Sequence, residues 1–261
     1  MKLLVKLGGT LLDVDAIRER LARQIAAIAR TVPLVVVHGG GRQMTQYLAA
    51  RGIASQFVNG LRVTTPEVLD AVVKVIAGSV NRQLVATLNA AEARAVGISG
   101  IDAGLVEAEQ MDPALGAVGR VVRANSALLD ALLAAGFLPV VACVAGGRQG
   151  SFYNVNADQM AVACAVAFGA DQLIFLTDVP GVLDATKRPL PYLTPAACES
   201  LIAAGVATGG MLAKLNAAQN ALRQGVPQVS IAAGAEADVL TRLLAGEVMG
   251  TSLANAEVAV Q

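Results

Sequence analysis

The sequence has no tryptophan, and aromatic residues make up only 3% of its 261 positions. That scarcity argues against base-stacking platforms and aromatic sugar clamps. Charge is thin as well: 15% of residues are charged, with 20 Lys plus Arg against 20 Asp plus Glu. A balance near zero gives no electrostatic reason to expect nucleic acid or an anionic membrane as partner. The three cysteines, Cys143, Cys164 and Cys198, show no CxxC and no metal-ligand spacing. They read as small buried hydrophobes in a chain without a signal peptide, and we expect a reducing cytoplasm. No uninterrupted apolar stretch reaches the roughly 18–20 residues of a membrane span. The P-loop pattern G-x-x-x-x-G-K-[ST] is absent. So is G-x-G-x-x-G, which counts against an NAD-dependent dehydrogenase.

What the chain does have is apolar sequence, at 55% of residues. Such a chain buries a large sheet, and its length fits one large domain or two lobes. Residues 2–7 read as a strand. Residues 14–30 carry Ile17, Leu21, Ile25 and Ile28 on one helical face, with Asp13 as the expected N-cap. "PLVVVHGGG" is a strand running into glycines, followed by a helix from about 42 to 51. "GFLPVVACVAGG", "DQLIFLTDVPG" and "PQVSIAAG" repeat that form. Near-continuous apolar runs ended by glycine turns belong to central parallel strands covered on both faces. The β-α-β-α order predicts an α/β fold with a mainly parallel sheet. Residues 54–64 and 104–123 are more polar and alternate, which predicts hairpins. The softest boundary lies near Gly169, giving lobes 1–170 and 171–261.

Ligands gather at the carboxyl ends of strands in open α/β sheets. Gly8-Gly9, Gly39-Gly40-Gly41 and Gly181 all fall there, and Gly209-Gly210 precedes the helix "MLAKLNAAQNALRQ". Glycine lets backbone N–H groups approach an anion, and a helix start adds a positive dipole end. Ordinary turn chemistry explains any one cluster. Their repetition favours anion binding.

Two lysines stand beside these turns. Lys6 lies across its strand from Leu3, Val5 and Leu7. It guards an exposed edge, or it faces a ligand at the end of a central strand. Lys214 is expected in the first turn of its helix, where a cation opposes the dipole. In "NVNADQ", Asn156 is a natural N-cap and Asp158 suits the first turn. Asp158 is also a carboxylate able to position both lysines.

Taken together, "KLGGTLL", "VVVHGGGRQ", "NGLRVTTPE", "NVNADQMA", "LTDVPGVL" and "ATGGMLAKLNAA" resemble the amino acid kinase family. Within it, "NGLRVT" with "NVNADQ" resembles the branch acting on an acetylated glutamate. The resemblance implies an open αβα sandwich, with an acyl amino acid and dimer lobe followed by an ATP lobe. It implies transfer of a phosphoryl group from ATP, with Mg²⁺, to the side-chain carboxylate of N-acetyl-L-glutamate in arginine biosynthesis. Carried over by position, Lys6 and Lys214 stabilise the transferring group and Asp158 holds them. Gly40 and Gly41 offer N–H groups to substrate and phosphoryl, with Gly8 and Gly9 close by. Arg62 and Asn154 bind the acyl amino acid. Asp178, Val179, Pro180, Gly181, Val182 and Leu183, with Val206, Ala207 and Thr208, meet the nucleotide. No protein metal ligand is implied.

The sequence departs from the family at Ile101, often lysine or glycine there, and at Gly209, sometimes acidic. Lys6 comes too early for the extra N-terminal helix of arginine-regulated hexamers, so a homodimer without arginine feedback is expected. The acceptor carboxylate, with a pKa of about 4.3, is already ionised at neutral pH and needs no general base. His38 is then structural, holding the triple-glycine turn. Two other readings stay open: a kinase of a related acyl amino acid such as an aminoadipate derivative, and a non-catalytic sensor on the same fold.

Overall fold

The computed structural model describes residues 1–254. The chain begins with β1 (Leu3–Leu7), α1 (Gly9–Leu12), α2 (Asp15–Ala29), β2 (Leu34–His38) and α3 (Gly41–Ala49). A hairpin of β3 (Phe57–Val58) and β4 (Leu61–Arg62) follows. Next comes a long helix: α4 (Pro66–Val72), a π-helical segment Val73–Val80, and α5 (Asn81–Ala90). Then come β5 (Ala95–Gly100), β6 (Val106–Gln110), β7 (Gly119–Ala124), α6 (Ala127–Ala134), β8 (Leu138–Gly146) and β9 (Phe152–Asn154). The remainder is α7 (Ala157–Phe168), β10 (Gln172–Thr177), β11 (Tyr192–Leu193), α8 (Pro195–Ala203), α9 (Gly209–Arg223), β12 (Gln228–Ala233), α10 (Val239–Leu244) and β13 (Thr251–Ala254).

Among the described residues, eleven strands form one sheet in the order β11-β13-β12-β10-β1-β2-β8-β6-β7, with β5 and β9 also paired to β8. The centre, β12-β10-β1-β2-β8, is parallel. Every residue of β1, β2 and β10 is buried, so both faces are covered, as their unbroken apolar runs require. Burying each of these Leu and Val side chains is worth about 1.5–3 kcal/mol. On the covering layers, α7 packs on β1, β10 and α9, while α2 packs on α5 and α10. The expected α/β sandwich is what forms, and both expected hairpins are present as β3–β4 and β6–β7.

One open alternative closes and two local expectations change. β1 is flanked by β10 and β2, so Lys6 guards no edge. Asp13 does not cap α2: it is the C-cap of the short α1, and Val14 occupies the N-cap position of α2. The Asp13 carboxylate faces Arg42 Nε at 3.3 Å instead. Lys214 is the sixth residue of α9, a turn beyond where the dipole acts strongly. Asn156 does cap α7, its Oδ1 accepting from Asp158 N at 2.9 Å and Gln159 N at 3.2 Å. The helix ends on Gly169 in the left-handed region (φ 68).

Candidate active site

Strand register begins the assembly. Leu7 lies opposite His38, so the turns after β1 and β2 leave neighbouring strands at the same end. Gly39 N donates to the Leu7 carbonyl at 3.2 Å. A Cβ on Gly9 would lie 3.2 Å from Gly41 N and 3.3 Å from Gly40 N, so a side chain there would crowd the close approach of these two turns. Gly8 is fixed from the other side, its N donating to the Leu176 carbonyl at 2.9 Å.

Asp158, brought in by the first turn of α7, joins the two lysines. Lys6 Nζ lies 2.7 Å from Oδ1 and Lys214 Nζ 3.5 Å from Oδ2. The Lys6 and Asp158 side chains are each only 7% exposed, so this charge pair has left water. Burial alone would push the Asp158 carboxyl up. The charges and hydrogen bonds of Lys6 and Lys214 outweigh that and hold it below the ordinary carboxylate range. The carboxylate is therefore ionised at neutral pH, and two cations arrive on its two oxygens from β1 and α9.

Beside Lys6 opens a cleft of about 220 Å³ lined by Gly9, Gly40, Gly41, Arg62 and Asn154 among others. Arg62 is buried, and desolvation lowers its pKa. Its Nη2 donates to the Gly41 carbonyl at 3.0 Å and to Thr45 Oγ1 at 2.8 Å, and its Nη1 to Ser55 Oγ. The Phe57 ring covers the guanidinium with 4.6 Å from Cζ to the ring centroid. Asn154 Nδ2 donates to Thr64 Oγ1 at 3.0 Å, and Thr64 Oγ1 to the Arg62 carbonyl at 2.8 Å. A planar fork and an amide on one wall suit a substrate carrying a carboxylate and an amide. A second cavity of about 510 Å³ lies between the β3–β4 turn and α9, sharing Gly60, Leu61 and Asn156 with the first.

The amino acid kinase family model matches residues 1–233. The chain belongs to the amino acid kinase family. A relative named acetylglutamate kinase, from Solibacter usitatus (strain Ellin6076), is 65% identical over 257 residues, covering 98% of this chain and 100% of its own. Another of that name, from Deinococcus radiodurans, is 46% identical over 94% of this chain and 97% of its own. Among solved structures, N-acetylglutamate synthase from Neisseria gonorrhoeae, complexed with coenzyme A and N-acetyl-glutamate, superposes with a TM-score of 0.87 at 26% identity. That match covers 97% of this chain and 59% of the synthase chain.

In this amino acid kinase, Lys6, Asp158 and Lys214 come together, and so do Gly9, Gly40, Gly41, Arg62 and Asn154 on the neighbouring cleft. The segments expected to meet a nucleotide stand apart from the walls of both cavities. Asp178, Val179 and Pro180 are exposed at the carboxyl end of β10. Gly181 (φ 144) and the buried Val182 fold back, Val182 N donating to Thr251 Oγ1 at 2.8 Å, and Leu183 bridges to Pro189. Val206 is half-buried, Ala207 buried, and Thr208 exposed at the N-cap position of α9.

The structure adds further residues to the site. Thr64, wholly buried, links Arg62 to Asn154. Ile76 and Cys143 line the cleft. Burial pushes the Cys143 thiol up to about 11, which keeps it protonated and inert. Gln43 Nε2 donates to the Gly9 carbonyl at 3.2 Å. For Thr64 the signal was present, in a β-branched polar residue two places beyond Arg62. For Ile76 and Cys143 none existed in one dimension.

Proposed function

We propose that this chain is an acetylglutamate kinase, transferring the terminal phosphoryl group of ATP to the side-chain carboxylate of N-acetyl-L-glutamate. The observation that carries this reading is one buried carboxylate, Asp158, holding two lysines from separate elements beside a glycine-lined cleft. Lys6 and Lys214 neutralise the charge that builds when one anion attacks another. Asp158 keeps both ammonium groups in place before substrate arrives. Arg62 pairs with the α-carboxylate, and Asn154 binds the acyl amino acid beside it. Gly40 and Gly41 present N–H groups at the start of α3, where the dipole also favours an anion.

No general base is assigned. The acceptor carboxylate is ionised at neutral pH. The single histidine is sealed in the core with burial lowering its pKa to about 4, and both ring nitrogens are engaged by protein. Among the described residues, no group of three or more His, Cys, Asp or Glu side chains is placed to hold a metal. Asp158, the carboxylate beside the cleft, is committed to the two lysines. Mg²⁺ would come with the nucleotide and would supply charge neutralisation on the phosphates. The nucleotide rests on residues 171–261, against the turn 178–183 and the segment 206–208. The acyl amino acid rests on residues 1–170. We place the enzyme in the cytoplasm as a homodimer. Among the described residues no helix is long and apolar enough to cross a membrane.

Hydroxylamine traps an acyl phosphate as a hydroxamate, so the reaction is read directly. Acetylglutamate with ATP should give hydroxamate at a rate well above acetylaminoadipate. Preference for the longer substrate would assign the related kinase instead, since one methylene separates the two by only ~1–3 kcal/mol. Tight nucleotide binding without hydroxamate from either would mean a sensor.

A further inference from the structure

The Gly39–Gly40 peptide is held by His38, which is held in turn by side chains that none of the roles above uses. Asn81 is wholly buried where the π segment passes into α5. Its Nδ2 donates to the Val140 carbonyl at 3.0 Å and lies 2.9 Å from His38 Nε2. Its Oδ1 accepts from Arg82 Nη2 at 2.5 Å, and the same Arg82 nitrogen donates to the Gly97 carbonyl at 2.8 Å. These partners fix the amide. Flipped, it would set its oxygen against the Val140 carbonyl oxygen and its NH₂ against a guanidinium, matching neither.

With the amide so oriented, His38 Nε2 must accept. The imidazole is neutral in its buried site, so its one proton sits on Nδ1 and is donated to the Gly39 carbonyl at 2.8 Å. In a trans peptide the C=O and the following N–H point to opposite sides. Holding the Gly39 oxygen against His38 therefore turns the Gly40 N–H away from it. No backbone acceptor takes that N–H among the described residues. The π segment completes the clamp, because a Cβ on Gly40 would lie 2.6 Å from Ile76 Cδ1 and 3.3 Å from Val80 Cγ2.

We propose that Asn81 is a positioning residue for phosphoryl transfer, selecting the His38 tautomer that orients the Gly39–Gly40 peptide toward the anion. The proposal rests on the kinase reading. Asn81 touches no reacting atom. It decides which ring nitrogen carries the proton, and the ring decides which way one backbone donor points.

His38 is the single histidine, so protein grown on isotope-labelled histidine gives ring-nitrogen resonances from this residue alone. The wild type should carry its proton on Nδ1, a result that needs no variant. Asn81→Asp keeps the shape but replaces the donor with an acceptor, which should put a proton on Nε2. Its kcat should fall by about tenfold to a hundredfold, as for a displaced catalytic contact. KM for ATP and for the acyl amino acid should each stay within about threefold, because a contact made only at the transition state is what is lost. Arg82→Met, at an exposed position, removes one of the partners that fix the amide and should give a smaller loss of the same kind. A wild-type ring protonated on Nε2 would overturn the proposal. So would Asn81→Asp with wild-type kcat. Wild-type protein that formed no acyl phosphate would remove the kinase reading, while the ring resonances still decided whether Asn81 sets the tautomer.

Discussion

Lys6 Nζ sits 2.7 Å from Asp158 Oδ1, and the two side chains are buried to the same degree. Such a pair is poorly replaced by one of its members. Removing one partner of a buried ion pair costs about 3–5 kcal/mol, because the other charge stays in a dry site. Asp158→Asn leaves two unneutralised lysines and should lower the unfolding free energy by about that much, read by urea denaturation at pH 7. Lys214→Ala leaves Asp158 paired with Lys6 and should keep most of the stability. Its kcat in the hydroxamate assay should nevertheless fall roughly a hundred- to a thousandfold, as when one preorganised donor is lost. Wild-type turnover by Lys214→Ala would remove that lysine from the mechanism.

Arg62→Lys should be damaging despite conserving charge. The guanidinium serves Gly41, Thr45 and Ser55 at once and lies over Phe57, and an ammonium cannot span those partners. KM for the acyl amino acid should rise at least about tenfold, with KM for ATP nearly unchanged. Equal changes in both constants would show that Arg62 supports the fold rather than the substrate.

The glycines separate geometry from chemistry. A methyl group on Gly40 collides with Ile76, whereas one on Gly41 meets nothing within 4 Å. Gly40→Ala should therefore cost about 1–3 kcal/mol by overpacking. Adding Ile76→Val should recover part of it, a coupling that a double-mutant cycle detects. Gly41→Ala should leave stability unchanged or slightly raised, since alanine favours the helix, yet reduce turnover by entering the cleft. Thermal melts and hydroxamate yields on the same samples test both halves.

Much of this was legible in one dimension. Each apolar run ending in glycine became a central strand with its turn at the ligand end, because a strand covered on both faces has to be apolar throughout. Asn156 before "ADQ" announced the α7 cap. Asp13 misled, because a capping residue type says nothing of which of two adjacent helices it closes. Lys214 falls later in α9 than its residue type suggests, because the helix takes in Gly209 as well as Gly210. Asn81 and the π segment were invisible, and Thr64 showed no more than its residue type. Their meaning lies in partners 59 residues away, for Asn81 and Val140, and 90 residues away, for Thr64 and Asn154.

His38 gives a pH dependence of stability with a definite sign. Its folded pKa of about 4 is below the ordinary imidazole value of 6.5, mainly through burial. Between those values the unfolded chain binds a proton that the folded chain refuses. Stability is complete above about pH 6.5 and declines as pH falls toward 4, by about 3 kcal/mol in full. Denaturation midpoints at pH 7 and pH 5 should differ in the wild type, and His38→Gln should flatten that difference. An unchanged slope in His38→Gln would assign the loss to carboxylates instead.

The most direct test of two ammonium groups converging on the transferred phosphoryl is a crystal structure with acetylglutamate, Mg²⁺ and a nonhydrolysable ATP analogue. Lys6 and Lys214 should each place Nζ within about 3 Å of oxygens on the terminal phosphoryl group while Asp158 remains between them. A complex in which either lysine stays on Asp158 alone, with the phosphoryl group out of its reach, would contradict the mechanism.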